Sequence, residues 1–421
     1  HDVCRVHARQ ARMSVSPARR AAYEVLLRVF EQDAYADRVF RTAAEGLDER
    51  ERAFAHRLAY GAVQRARTLD YAIDTLGKRP VRKLDPPVRA ALRLGAYQVG
   101  YTDTAPHAAA NESVELVRGA KLERAVPFTN AVMRRLTEGM PNLLASLPDG
   151  PLKESYPDWI YETWERDLGH DDALALMRAG NEPLETAIRL VRGEPPAGAE
   201  PTDVPGAYRV ARVDDLAVAD GRVWPQSRSS QLAALVVGSQ DGERVLDLCS
   251  APGGKATQLH GDVTAVELDP NRASELRANI ELLGATNVIV VEADGTALPP
   301  GLEGFDRALV DAPCSGLGVL SQRPDLRWRA KPLPDLQLAL LRSAAERVRP
   351  GGTIVYSVCT INADENEAIV DASGLEVLPL TDEWPQYAHP RRPEFLLMLP
   401  HVHRTSGFFI ARLLVPSGAK S

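Results

Sequence analysis

The 421-residue sequence is poor in cysteine. Its four cysteines, Cys4, Cys249, Cys314 and Cys359, stand far apart with no C-x-x-C pair. Disulfide frameworks and zinc ribbons need denser or closer thiols, so neither is expected, and the thiols imply a reducing, cytoplasmic setting. Long hydrophobic runs are also missing: none reaches the roughly 18 residues that a membrane span requires. Residues 1–12 are basic without an apolar stretch and do not read as a secretory signal. Neither internal repeats nor low-complexity tracts occur. What remains, 44% hydrophobic and 25% charged residues, is ordinary globular composition for two to four domains.

The net charge of −7 argues against a nucleic-acid partner until it is divided. Residues 1–150 carry 24 basic and 18 acidic side chains, a balance of +6, and residues 151–421 carry 26 and 39, a balance of −13. Such asymmetry suggests a division of labour along the chain, although a solvated charged surface is the plainer explanation.

Apolar residues recur at helical spacing in the first part: Tyr23, Leu26, Leu27 and Phe30, then Leu84, Val88, Leu92 and Val99, then Phe128, Val132 and Leu136. This predicts an all-helical domain over 14–140, punctuated by Pro80, Pro86 and Pro106, with a connection over 141–151. Residues 156–180 read as helix again and 186–225 as short strands, giving a small α+β module over 151–228. From 229 to 417 strands alternate with helices, which predicts a doubly wound parallel sheet of Rossmann-like α/β class.

The sharpest local signal is the run Cys249, Ser250, Ala251, Pro252, Gly253, Gly254, Lys255, where a short apolar strand enters a glycine turn. A phosphate loop would need G-x-x-x-x-G-K-[ST], but Cys249 and Ala256 occupy the decisive positions. The dinucleotide pattern G-x-G-x-x-G is absent as well. S-adenosylmethionine, which has no phosphate, fits better. Glu267 ends the next strand, where an acid can take both ribose hydroxyls. Asp294 follows the third strand and suits an adenine amino group. Each acid alone reads equally well as a turn carboxylate.

Asp311 and Cys314 sit at the end of the fourth strand, and Cys359 at the end of the fifth. Ligands of open α/β sheets bind outside those ends. A lone cysteine there is more often a small buried hydrophobe. Two at neighbouring strand ends point to chemistry. A thiolate adding at C6 of a pyrimidine makes C5 nucleophilic toward a sulfonium methyl. Asp311 could hydrogen-bond the N3 edge of the ring.

These three motifs, with Glu365-Asn366-Glu367 following the last, resemble the RNA cytosine-C5 methyltransferases, and most closely the RsmB (Sun/Fmu) family of bacterial 16S rRNA enzymes. The resemblance extends along nearly the whole chain. Tyr23-Glu-Val-Leu and Phe128-Thr-Asn-Ala-Val-Met-Arg are similar to the NusB-like, RNA-binding helical domain that this family carries. It implies an S-adenosylmethionine site formed by residues 249–255, Glu267, Arg272, Asp294 and Asp311. It also implies Cys359 as nucleophile and Cys314 as the cysteine that assists product release. The segment Gln226-Ser-Arg-Ser-Ser-Gln lacks the acid usual there, and Val358-Cys359-Thr360 replaces the usual Thr-Cys-Ser.

For RNA binding the sequence offers Arg79, Arg82 and Lys83 in the basic part, and Arg323, Arg327, Trp328, Arg329 and Lys331 after the Pro-Cys motif. Neither metal nor membrane is expected, and a monomer acting on 16S rRNA is the expected form. A tRNA or 23S rRNA substrate is the nearest alternative. A non-catalytic RNA-binding or antitermination factor is the alternative of another class.

Overall fold

A computed structural model describes residues 15–417. Cys4 and residues 1–12 lie outside the described residues. The chain forms two compact units. The first runs to Glu165 and includes Leu320–Arg329; the second comprises Arg166–Val319 and the chain from Ala330 onward.

The first unit is helical, with principal helices Pro17–Glu31, Ala36–Ala43, Glu49–Gln64, Ala66–Gly77, Pro86–Tyr101, Pro106–Gly119 and Val126–Ser146. Four of them carry proline in their first turn. There the missing N–H has no intrahelical partner to lose and φ is already set. Leu26, Leu58, Leu69, Ile73, Leu92, Val132 and Leu136 form its core. The connection expected over 141–151 is largely helix instead. Val126–Ser146 continues through Pro141. Burial of Met140 and packing of Leu143 and Leu144 against the core offset the missing backbone bond.

The segment Leu320–Arg329 corrects the sequence reading. Arg327 and Trp328, expected on an RNA-facing loop, are packed within the helical unit. Arg327 is 1% exposed. Its guanidinium stacks 3.8 Å from the Tyr156 ring centroid, and Nη1 donates to the Gln64 carbonyl at 3.2 Å. Burial lowers its pKa to about 10. Trp328 donates from Nε1 to the Val63 carbonyl at 2.8 Å and packs on Phe30. Arg329 pairs with Asp33 at 3.2 Å and Arg323 with Asp37 at 3.7 Å. Large planar groups with apolar stems gain more from stacking and burial here than from hydration.

In the second unit, β1 (Thr186–Leu190), β2 (Glu200–Pro201), β3 (Ala207–Val210) and β4 (Val223–Pro225) form an antiparallel sheet in the order β2-β3-β1-β4. The run read as helical over 156–180 forms the helices Asp158–Leu168 and His170–Ala179, separated at Gly169, whose φ is +95°. The larger sheet contains β5 (Arg244–Leu248), β6 (Asp262–Glu267), β7 (Val288–Glu292), β8 (Phe305–Asp311), β9 (Val348–Val358), β10 (Glu376–Leu378), β11 (Leu396–Met398) and β12 (Phe408–Leu414). Its order is β10-β12-β9-β8-β5-β6-β7, with β11 on β12. The five strands from β9 to β7 are parallel, as expected. The chain's last strand instead runs antiparallel to β9. Helix Pro270–Leu283 starts at Asp269, which accepts from the N–H groups of Asn271 and Arg272, and stops at Gly284 in the left-handed conformation.

Replacing Trp328 with alanine removes a ring from the helical core and is expected to cost about 3 kcal/mol. Denaturant unfolding measures the destabilisation. RNA binding measured well below the unfolding midpoint should change by less than about twofold, as befits a packing group rather than a base-stacking one.

Candidate active site at the strand ends

After β5 the chain turns sharply. Cys249 takes φ +60°, Ala251–Pro252 is cis, and Gly253 takes φ +102°. That φ is one that L side chains rarely adopt, and a Cβ on Gly253 would also stand 2.7 Å from Leu276 Cδ1. Ser250 ties the turn to the sheet: its N–H donates to the Val266 carbonyl at 3.0 Å, and its hydroxyl to the Asp247 carbonyl at 2.7 Å. Gly254 lies under Trp224. Gln226, in the segment that departs from the expected pattern, donates toward Ser230 and Gln258. Ser227 caps the helix Arg228–Val237. Burial and the neighbouring acids push the Cys249 thiol up to about 12, away from the thiolate that a nucleophile needs.

Glu267, 4% exposed, faces this turn from the end of β6. It accepts from the Ala251 N–H at 3.3 Å and the Asp269 N–H at 3.1 Å. Arg272 pairs with it at 3.6 Å and donates to the Ala251 carbonyl at 2.6 Å. Asp294 is exposed beyond β7. The Thr296 hydroxyl and N–H hold its carboxyl below the ordinary range. Sequence reasoning missed Asp247, which reads as one more position of a buried strand. It is 1% exposed, and among the described residues neither carboxyl oxygen has a hydrogen-bond partner. Burial raises its pKa to about 7. A buried acid without donors, beside a glycine turn and an acid at the next strand end, fits a ligand that brings ammonium and hydroxyl donors. S-adenosylmethionine has both.

The second half of the site lies on β8 and β9. Asp311 Oδ2 accepts from Lys255 Nζ at 2.8 Å, and Oδ1 from the Ser357 hydroxyl at 2.9 Å. Lys255 Nζ also lies 5.1 Å from the Phe408 ring centroid. The sulfurs of Cys314 and Cys359 are 3.4 Å apart, and both thiols are free. The proton that Cys314 donates to the Cys359 sulfur, helped by the charge of Lys255, holds Cys359 below the ordinary thiol range. That same bond, with burial and the charge of Glu365, pushes Cys314 well above it. The contact thus favours the thiolate form more at Cys359 than at Cys314.

Of the residues expected to meet RNA, Arg79, Arg82 and Lys83 are in the helical unit. Arg79 and Lys83 line a cleft of about 510 Å³ with Lys121, Arg124 and Phe128. Lys121 and Arg124 were not singled out from the sequence. Lys331 is exposed in the second unit.

Asp247 generates a test. An acid whose pKa is raised on folding favours the folded state below its unfolded value, and that contribution is lost as pH rises toward 7. Asp247→Asn should therefore raise stability at pH 8 by roughly 2–4 kcal/mol and leave it nearly unchanged at pH 4. Unfolding at the two pH values checks the sign, and titration of S-adenosylmethionine should show weakened binding.

Residues 234–414 match the family described as 16S rRNA methyltransferase RsmB/F, and residues 16–138 match the NusB family. A probable ribosomal RNA small subunit methyltransferase B of Synechocystis is 33% identical, covering 94% of this chain and 99% of that one. Its namesake in Bacillus subtilis is 30% identical over 95% of this chain and 99% of its own. Among solved structures, PH0851 superposes with a TM-score of 0.79 at 24% identity, covering 95% of this chain and 99% of that one. NSun6 from Pyrococcus horikoshii with SFG gives 0.54 at 21%, covering 63% and 100%. The chain therefore belongs to the RsmB/F family of S-adenosylmethionine-dependent rRNA small-subunit methyltransferases.

Proposed function

We propose that this protein methylates C5 of a specific cytosine in 16S rRNA through a covalent bond between Cys359 and C6. The observation that carries the reading is the pair of free thiols 3.4 Å apart at the ends of β8 and β9, with Cys359 held below and Cys314 above the ordinary thiol range. When bound, S-adenosylmethionine supplies an electrophilic methyl on a sulfonium. Residues 249–255, Glu267, Arg272, Asp294 and Asp247 would hold it. The remaining residues make C5 a nucleophile. The Cys359 thiolate adds to C6, and the ring's electrons move toward C5. Asp311, oriented by Lys255 and Ser357, would in its protonated form donate to N3 and so withdraw density from C6. Once C5 carries the methyl, its proton leaves to a base, the C5–C6 double bond re-forms and the Cys359 thiolate departs. Cys314 serves this release step. Such chemistry requires both sulfurs to remain reduced, as in a cytoplasm.

The target base must leave its stack to reach Cys359, and its strand needs cationic support. The cleft lined by Arg79, Lys83, Lys121 and Arg124 provides one phosphate-binding surface on the helical unit, with Phe128 as an aromatic wall.

Cys359→Ala should abolish 5-methylcytosine in 16S rRNA, read by bisulfite sequencing. Cys314→Ser should accumulate a covalent enzyme–RNA adduct on a denaturing gel. Persistent methylation by the Cys359 variant sinks the nucleophile assignment, and a methylated tRNA or 23S rRNA in place of 16S sinks the substrate. Charge reversal at Arg79 and Arg124 should weaken RNA binding. It should also reduce the slope of log K against log salt by about 1 for each phosphate no longer neutralised.

A further inference from the structure

Thr360, one of the sequence departures, and a buried acid meet beside the cysteines. Glu365 is 0% exposed, and among the described residues no cation pairs with it. Five donors converge on its carboxylate instead. Oε1 accepts from the N–H of Ser315 at 2.9 Å, the N–H of Leu333 at 3.1 Å and Nε2 of Gln337 at 2.9 Å. Oε2 accepts from Nδ2 of Asn362 at 3.2 Å and from the Ser315 hydroxyl. An ionised carboxylate is acceptor-only and can satisfy all of them.

The direction of the next bond follows. Ser315 has one hydroxyl proton, and it is committed to Glu365. The bond of 2.7 Å between Ser315 Oγ and Thr360 Oγ1 must therefore be donated by Thr360. Thr360 in turn accepts from the Leu317 N–H at 3.4 Å. Ser315 directly follows Cys314, and Thr360 directly follows Cys359. The flanking backbone is held as well: Gln337 donates to the Pro313 carbonyl at 2.9 Å, and the Gly318 N–H to the Cys359 carbonyl at 3.0 Å. Ser315, Thr360, Asn362 and Gln337 are all at most 2% exposed.

We infer that the relay from Thr360 through Ser315 to Glu365 is a positioning device that sets the spacing of the two sulfurs. Each cysteine loop alone is a turn beyond a strand end. The relay joins the loops one residue past each thiol, so the two cysteine backbones cannot shift apart without breaking a buried bond. A displacement of about 1 Å from reacting geometry can cost on the order of a hundredfold in rate. The inference rests on the reading of Cys359 as nucleophile and Cys314 as its partner. It adds Thr360, Ser315 and Glu365 as residues that act through the thiols, without touching substrate.

Thr360→Val keeps the shape and removes the hydroxyl; Thr360→Ser keeps the hydroxyl and removes the methyl. Both are made in the full chain. The first readout needs no RNA: the pH dependence of iodoacetamide alkylation at Cys359 and at Cys314, followed by peptide mass spectrometry. The wild type should show Cys359 reacting at lower pH than Cys314. Thr360→Val should narrow that gap by about one pH unit or more, and Thr360→Ser should restore it. The second readout is single-turnover methyl transfer at saturating RNA. Thr360→Val should lower the rate at least about tenfold with the KM for S-adenosylmethionine unchanged, and Thr360→Ser should recover it to within about threefold. Glu365→Gln, which turns an amide donor toward donors, should behave as Thr360→Val does; should it fail to fold, the Thr360 pair decides. A wild-type thiol gap and rate in Thr360→Val overturn the inference. So does a Thr360→Ser as impaired as the valine variant, which would assign the effect to packing. If the gap responds as expected but the wild type methylates no cytosine, the relay stands and the proposed reaction falls.

Discussion

Parallel pairing of β8 with β9 sets Asp311 opposite Ser357, and the reactive groups take their places from that register. Cys314 lies three residues beyond Asp311 and Cys359 two beyond Ser357, so both thiols emerge at the same end of these neighbouring strands. A slip of one residue would turn every side chain of a strand to the other face. The Ser357–Asp311 bond would break, and Asp311 would no longer meet Lys255. The neighbouring strands continue the same logic. β5 lies beside β8 and leads into the turn bearing Lys255, and β6 lies beside β5 and ends at Glu267. The strand order thus puts the glycine turn and Glu267 on one side and the two cysteines on the other, with Lys255 and Asp311 where they meet.

Electrostatics follows the same division. The second half of the chain is acidic, yet several of its acids serve the interior. Glu267 and Glu365 accept backbone N–H groups of the turns and loops that follow the strands. Asp247 is held without donors. A cofactor with a sulfonium and an ammonium is cationic at its reactive end, so acidic surroundings favour it. An RNA strand is repelled by the same surroundings and needs cations elsewhere, and the basic excess of the first 150 residues is where the cleft around Phe128 occurs. The charge asymmetry of the sequence is therefore compatible with a cationic cofactor and an anionic substrate in one enzyme.

Which parts of this were legible in the sequence depends on how local each signal is. The glycine turn, Glu267 and the two cysteines could be placed because a short apolar strand followed by a special residue is a pattern of under ten positions. The antiparallel β12 was not legible, since a terminal apolar strand carries no mark of direction. Asp247 was hidden inside the apolar run of β5, and only the absence of a donor around its carboxyl sets it apart. Glu365 stood in a recognised motif, but its donors come from Ser315, Leu333, Gln337 and Asn362, up to 50 residues away in sequence. The largest error, Arg327 and Trp328, came from composition. A basic segment with an aromatic reads as an RNA surface unless its partners Tyr156 and Val63 are known.

Those same two residues change what the domains of this protein are. Val319 and Ala330 belong to the second unit, while the ten residues between them belong to the first. The helical unit is thus not a bead on a string that ends at Glu165. Excised as residues 15–165, it would leave the Val63 carbonyl without the Trp328 N–H and the Tyr156 ring without its stacked guanidinium. Buried groups stripped of partners each cost on the order of 1–3 kcal/mol, comparable with a large fraction of a domain's net stability. The chain that carries Cys314 passes directly into that segment. The helical core is therefore completed by residues that lie, in sequence, within the methyltransferase half.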